Sequence, residues 1–151
     1  MRSNIMTARA SASQTAVLFG GVLFFVVLDQ VAKVWARSAP DSVLCNGGIA
    51  LSLPAPALPT IIVSIAIIML LSIWLAEHRR HALIERIGLM LLIAGGIGNT
   101  IDRIFFGCVT DFIAFFDIWH FNVADAYIAA GVAAILWYMI VVVPARHDVL
   151  H

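Results

Sequence analysis

Residues 60–76 read TIIVSIAIIMLLSIWLA, seventeen positions without a charge and with only three hydroxyl side chains, Thr60, Ser64 and Ser72. As a helix, a run of this kind approaches the roughly 20 mostly apolar residues that cross a bilayer core. A helix apolar on every side can be covered with lipid or with a large protein interior. This chain cannot supply the second: of its 151 residues 62% are hydrophobic and 12% charged, against roughly 45–50% and 25% in soluble domains. The bilayer is therefore its solvent.

Working outward from that run, four segments are long and apolar enough to span: residues 15–36, 59–76, 84–104 and 122–143. The expected fold class is an all-α integral membrane protein, one membrane domain over residues 1–151. The N-terminus has arginines followed by an apolar run, as in a cleaved signal peptide. That run ends in Asp29, Gln30 and Lys33 instead of a small-residue cleavage site, so a retained first helix is expected.

Nine Lys and Arg balance nine Asp and Glu, so net charge gives no sign of a nucleic-acid partner. Their placement is more informative. Arg2, Arg9, Arg79, Arg80, Arg86 and Arg146 flank one end of the spans, which by the positive-inside rule is cytoplasmic. Both termini then lie inside. Six of the nine acids, Asp29, Asp41, Asp102, Asp111, Asp117 and Asp125, collect at the outer face. The first outer loop has Pro40, Pro54, Pro56 and Pro59, the pair Gly47-Gly48 and the alternating IALSL of 49–53, which read as turns and short strands. The second, FFGCVTDFIAFFDIWH, is aromatic and expected at headgroup depth. Cys45 and Cys108 lack metal or redox spacing and read as packing residues, with a disulfide open to them in an oxidising compartment.

Asp29 and Lys33 are four apart and share a helix face. Spacing alone favours a helix-end ion pair with Lys33 reaching to the interface. In GGIGNTIDR, Asn99 faces both Asp102 and Arg103 while those two diverge, and the glycines allow close helix contact. Asn122 and Asp125 have the form of an N-cap and an acidic N3 residue. That leaves Asp111 unexplained. If the third and fourth spans are antiparallel neighbours, Asp111 and Asp125 arrive at the same depth. Two poorly solvated carboxylates cannot both ionise cheaply, so one keeps a proton, and such a pair can activate a water between them. Asp117, in the aromatic loop, reads as a surface charge.

The blocks LDQVAK (28–33), NGGIALS (46–52), GNTIDR (98–103), VTDFI (109–113) and FNVADAYI (121–128), in this order on a four-span chain, resemble lipoprotein signal peptidase, a bacterial membrane aspartyl peptidase family also called signal peptidase II. The resemblance implies that Asp111 and Asp125 are the catalytic dyad, cutting a prolipoprotein before its diacylglyceryl-modified lipobox cysteine. It implies that Asn46, Asn99, Arg103 and Asn122 line the site and bind substrate backbone or hold the dyad, with Asp29 and Lys33 in support; Asp102, outside that set, reads as a structural polar residue. It further implies a small extracytoplasmic β-cradle, a short interfacial helix in the second loop, no metal or organic cofactor, the inhibitor globomycin, a monomer among membrane lipid, and a place in the bacterial inner membrane. Leu51 stands where the family has an aromatic residue. The rival reading is a four-span transporter or proton-coupled channel using Asp29 and the Asp111/Asp125 pair as a relay, and a third is a structural helix-bundle scaffold, weakened by the cost of so many buried polar groups without function. A transporter would carry an essential carboxylate near mid-membrane, whereas these gather at one face.

Overall fold

The computed structural model describes residues 2–39, 43–48, 56–77, 82–116 and 119–144, with side chains from residue 16 onward. Four helices dominate: α1 (Arg2–Arg37), α2 (Ala57–Glu77), α3 (Leu83–Phe106) and α4 (Val123–Trp137), the last continued by a π-helical turn at Tyr138–Val142. Stretches of each, Ala16–Arg37, Ala57–Glu77, Leu83–Phe106 and Val123–Val142, are apolar and long enough to cross a membrane. These match the expected spans to within two residues at each end. α1 differs in continuing as helix back to Arg2.

α3 lies at the centre, packed against α1, α2 and α4. It buries ten residues, whereas α2 buries only Leu75. The reason lies in what each helix carries. Lipid tails are as apolar as leucine, so an all-apolar helix gains little by hiding, while a helix with Asn99 and Asp102 must turn them inward. Val22, Val26, Leu75, Leu89, Ile93 and Ala94 form the apolar core between α1, α2 and α3. The α3–α4 contact uses small residues, with Gly88 against Gly131 and Gly95 against the Ala124 carbonyl. Backbones approach closely there, as membrane helices do when side chains are removed from the seam.

α3 ends at Gly107, whose φ of 75° is the left-handed cap conformation and whose N–H donates to the Arg103 carbonyl. This turn delivers the chain into β2 (Val109–Asp111), which pairs antiparallel with β1 (Leu44–Asn46) in the register Leu44↔Asp111, Cys45↔Thr110, Asn46↔Val109. A disulfide joins Cys45 to Cys108, so the two cysteines are covalent partners and not merely packing residues.

The second outer loop carries a correction. Where a short interfacial helix was expected, β3 (Ile113–Phe115) and β4 (Trp119–Phe121) pair as an antiparallel hairpin. β-Branched and aromatic residues favour a pleated, half-buried ribbon over helix, and the Phe115 and Trp119 rings stack across the pair at 6.5 Å. Phe116 takes the turn with φ 53°. The expected strand at 49–53 and the expected surface charge of Asp117 lie outside the described residues.

Candidate active site

The polar residues meet where α1, α3, the start of α4 and the β1–β2 ladder converge. α4 begins with a complete capping box: the Asn122 side chain accepts from the Asp125 N–H at 3.1 Å, and Asp125 Oδ2 accepts from the Asn122 N–H at 3.2 Å. The expected cap is thus present, and Asn122 does more. Its Nδ2 donates to Asp111 Oδ1 at 2.7 Å. One residue therefore touches both carboxylates, one across the β2–α4 connection and one on its own helix.

Each carboxylate is held by two N–H donors. Asp111 Oδ2 accepts from Asn46 Nδ2 at 2.9 Å, and Asp125 Oδ1 accepts from Asn99 Nδ2 at 2.7 Å. The orientation of all three amides is set from behind. Asn46 Oδ1 accepts from the Gly48 N–H, Asn99 Oδ1 from Lys33 Nζ and Asn122 Oδ1 from the Asp125 N–H. With each amide oxygen committed to a donor, each NH2 group must point at a carboxylate.

Behind Asn99 lies an ionic cluster. Lys33 is fully buried, with Nζ 2.9 Å from Asp29 Oδ2, 3.0 Å from Asn99 Oδ1 and 3.4 Å from Asp102 Oδ2. An ammonium has three donors, and here three acceptors surround it. Spacing favoured a lysine reaching to the interface; that reading is overturned, because α3 offers Lys33 two acceptors that its own helix cannot. Asp29 Oδ1 accepts from the Ala124 N–H at 2.9 Å, so α1 supplies a cap for α4. Asp102 Oδ2 accepts from the Thr110 N–H at 2.8 Å, tying the end of α3 to β2. Asp102 and Arg103 diverge as expected, and Arg103 Nη2 donates to the Gly48 carbonyl at 2.8 Å.

Sequence reasoning missed Arg37, Gln30 and Thr110. Arg37 Nη2 bonds Asp102 Oδ1 at 2.8 Å and the Thr110 hydroxyl at 2.7 Å, with its guanidinium 3.9 Å from the Phe106 ring. Gln30 donates to Asp29 and to the Gly98 carbonyl. A signal for Arg37 existed, since Asp29, Lys33 and Arg37 recur every fourth residue on one face. Thr110 had none.

Formal charges here come in two groups. Asp29 and Asp102 are balanced by Lys33 and Arg37. Asp111 and Asp125 face the charge of Arg103, which leaves one negative charge in excess, and a single bound proton removes it. Burial pushes the Asp111 carboxyl above its ordinary range and the Asp125 charge adds to this, while the bonds from Asn46 and Asn122 pull the other way. Such a pair is suited to holding one proton between two acids.

The glycine at position 98 is required by this packing. A Cβ there would collide with Asp29 Oδ2 and sit 3.3 Å from the Ala124 Cβ. Gly98→Ala is expected to lower stability by about 1–3 kcal/mol, the usual cost of overpacking, read as a fall in thermal midpoint in detergent. A midpoint equal to that of the parent would show that Asp29 can move freely.

Comparison with known proteins adds to this picture. Residues 21–141 match the family model described as signal peptidase (SPase) II. The chain is 34% identical over 148 residues to a lipoprotein signal peptidase of Nitrobacter hamburgensis, covering 80% of this chain and 89% of that one. It is 42% identical over 136 residues to a lipoprotein signal peptidase of Bartonella tribocorum, covering 77% and 81%. A Coxiella burnetii relative matches at 40% over 82 residues, half the length of that protein. Among solved structures, a bacterial membrane enzyme determined in meso at 2.3 Å superposes with a TM-score of 0.73 at 26% identity, covering 82% of this chain and 87% of that chain.

Proposed function

Since the chain belongs to the signal peptidase II family, we propose that it is an aspartyl endopeptidase that removes signal peptides from prolipoproteins, cutting before the diacylglyceryl-modified lipobox cysteine. The observation that carries the mechanism is the sharing of Asn122 by Asp111 and Asp125. A water between the two carboxyls loses a proton to the ionised one while the protonated one donates to the scissile carbonyl oxygen. The resulting gem-diol returns a hydroxyl proton to the carboxylate that had donated to it and expels the amine, which takes the proton of the other carboxyl as the C–N bond breaks, so the dyad again holds one proton. No group outside the chain and the water is consumed.

The other polar residues have roles consistent with this chemistry. Asn46, Asn99 and Asn122 aim the carboxyls. Arg103 has five donors, one of them on Gly48, and others suit substrate carbonyls. Asp29, Lys33 and Asp102 hold α1, α3 and α4 together at this depth. The site lies at the extracytoplasmic face of the inner membrane in this reading, which the cytoplasmic arginines and the disulfide both favour, since disulfides persist in oxidising compartments. Exposed aromatics in the second loop, Phe116 and Trp119 among them, suit headgroup depth, where a lipid-anchored substrate presents its cleavage site. The chain acts as one membrane domain and as a monomer, without metal or organic cofactor.

The test is incubation of purified protein with a diacylglyceryl-modified lipobox peptide, with and without globomycin. Cleavage on the N-terminal side of the lipidated cysteine, blocked by globomycin, is expected. A folded preparation that cleaves nothing would favour the transporter reading instead.

A further inference from the structure

β1 is three residues long and pairs with a strand equally short. A two-stranded ladder of that size is marginal by itself. Yet the aim of Asn46 depends on its register. In the observed pairing Asn46 stands opposite Val109, one diagonal step from Asp111, and its amide reaches the carboxylate at 2.9 Å. A slip by one residue would turn Asn46 to the other face of the ribbon. A slip by two would carry it about 7 Å along the strand.

The residue next to Asn46 is Cys45, opposite Thr110, and it is bonded to Cys108 at the other diagonal. Successive residues point to opposite faces, so the disulfide occupies one face of the ladder and the Asn46–Asp111 bond the other. Bridged cysteines keep their Cα atoms within about 7 Å, and these lie 5.5 Å apart, which excludes a two-residue slip that carries Cys45 away from Cys108. A one-residue slip would turn Cys45 to the face opposite Cys108, and a two-residue slip toward it would set Asn46 against Gly107, the left-handed cap of α3 that cannot extend the strand. Cys45 is exposed and Cys108 half-buried, so the bond is open to reductants. We propose that the Cys45–Cys108 disulfide is a redox-sensitive positioning element of the active site, locking the β1–β2 register so that Asn46 stays on Asp111 and full peptidase activity belongs to the oxidised chain. The inference rests on the peptidase reading above and adds to it a condition under which the site works.

Reduction by a dithiol delivers two electrons and two protons. The reagent closes to a cyclic disulfide, and Cys45 and Cys108 are left as thiols. The substrate's S-diacylglyceryl thioether has no bond that this reagent cuts. Among the described residues, β1 then keeps its short ladder, the Asn46–Gly48 turn and the Arg103 contact. Asn46 spends less time on Asp111, whose charged form loses a donor.

The experiment measures kcat against pH for the purified full-length protein, oxidised and under excess dithiothreitol, in the parent and in Asn46→Ala. Reduction of the already folded parent is expected to lower kcat about tenfold, within the range for losing a hydrogen bond to a charged group. The pH profile of the pair should move to higher pH, because the donor lost favoured the Asp111 carboxylate. Asn46→Ala should show the same loss and shift when oxidised, and reduction should then change neither further. The pair Cys45→Ser with Cys108→Ser should behave as the reduced parent does. Reduction without effect on the parent's rate and profile would overturn the proposal, as would an equal further loss on reducing Asn46→Ala. Failure of the oxidised parent to cleave at all would instead overturn the peptidase reading.

Discussion

Asp111→Asn and Asp125→Asn are each expected to lower kcat for a diacylglyceryl-modified lipobox peptide by at least about a thousandfold, since a positioned acid or base alone contributes roughly 10²–10⁴ and here each carboxyl serves as one while polarising the other's partner. Both variants should stay folded in detergent. At position 125 an asparagine keeps the size of the side chain and puts the α4 cap at risk, worth about 1 kcal/mol. At position 111 its amide oxygen can accept from Asn46 or Asn122, but its own NH2 then faces the other donor. The pH dependence of the parent follows from the same contacts. With one proton shared, activity rises as the first carboxyl ionises and falls as the second does. Burial and the Asp125 charge raise the Asp111 carboxyl above its ordinary range, so the profile of the pair is expected to extend above that range. A folded Asp111→Asn or Asp125→Asn enzyme with full activity would end the dyad assignment.

Lys33→Met is expected to cost about 3–5 kcal/mol, the range for removing one partner of a buried ionic group. The substitution is close in volume and removes only the charge, yet it strands Asp29 and leaves Asp102 with Arg37. It also frees Asn99 Oδ1, so the amide that faces Asp125 is no longer fixed from behind. Thermal unfolding in detergent should show a large fall in midpoint. The pair Asp29→Asn with Lys33→Met should lose less than the sum of the two single changes, because the second removes a charge the first has orphaned. Strict additivity would mean that Lys33 and Asp29 do not stabilise one another.

The four spans were legible because bilayer thickness imposes a length on any apolar run, and α2 in particular carries nothing to confuse the reading. The convergence of Asp111 with Asp125 was legible as well, from equal depth on two segments joined by a short loop. Lys33 was not. Its fate is decided by Asn99 and Asp102, more than sixty positions away, and local spacing carries no information about which helix will lie opposite. The β3–β4 pair shows a different failure: the short helix was expected from the family resemblance, whereas the aromatic residues of this loop favour a strand and cross-strand pairs such as Phe115 with Trp119 hold it. The disulfide was open in the sequence for a related reason, since only the β1–β2 register brings Cys45 near Cys108.

The capping of α4 also bears on when the protein becomes competent during its biosynthesis. Its first turn is completed by Asn122 from the preceding loop and by Asp29 from α1, ninety-five positions upstream of Ala124. α4 leaves the ribosome after α1, α2 and α3, and helices in a bilayer are inserted before they associate. Until α4 enters and docks on α1 and α3, Asp125 lacks the Asn99 donor that aims it and Ala124 lacks the Asp29 acceptor. A nascent chain with α1, α2 and α3 in place is therefore not yet a protease, and α1 waits for α4 before any peptide bond can be cut.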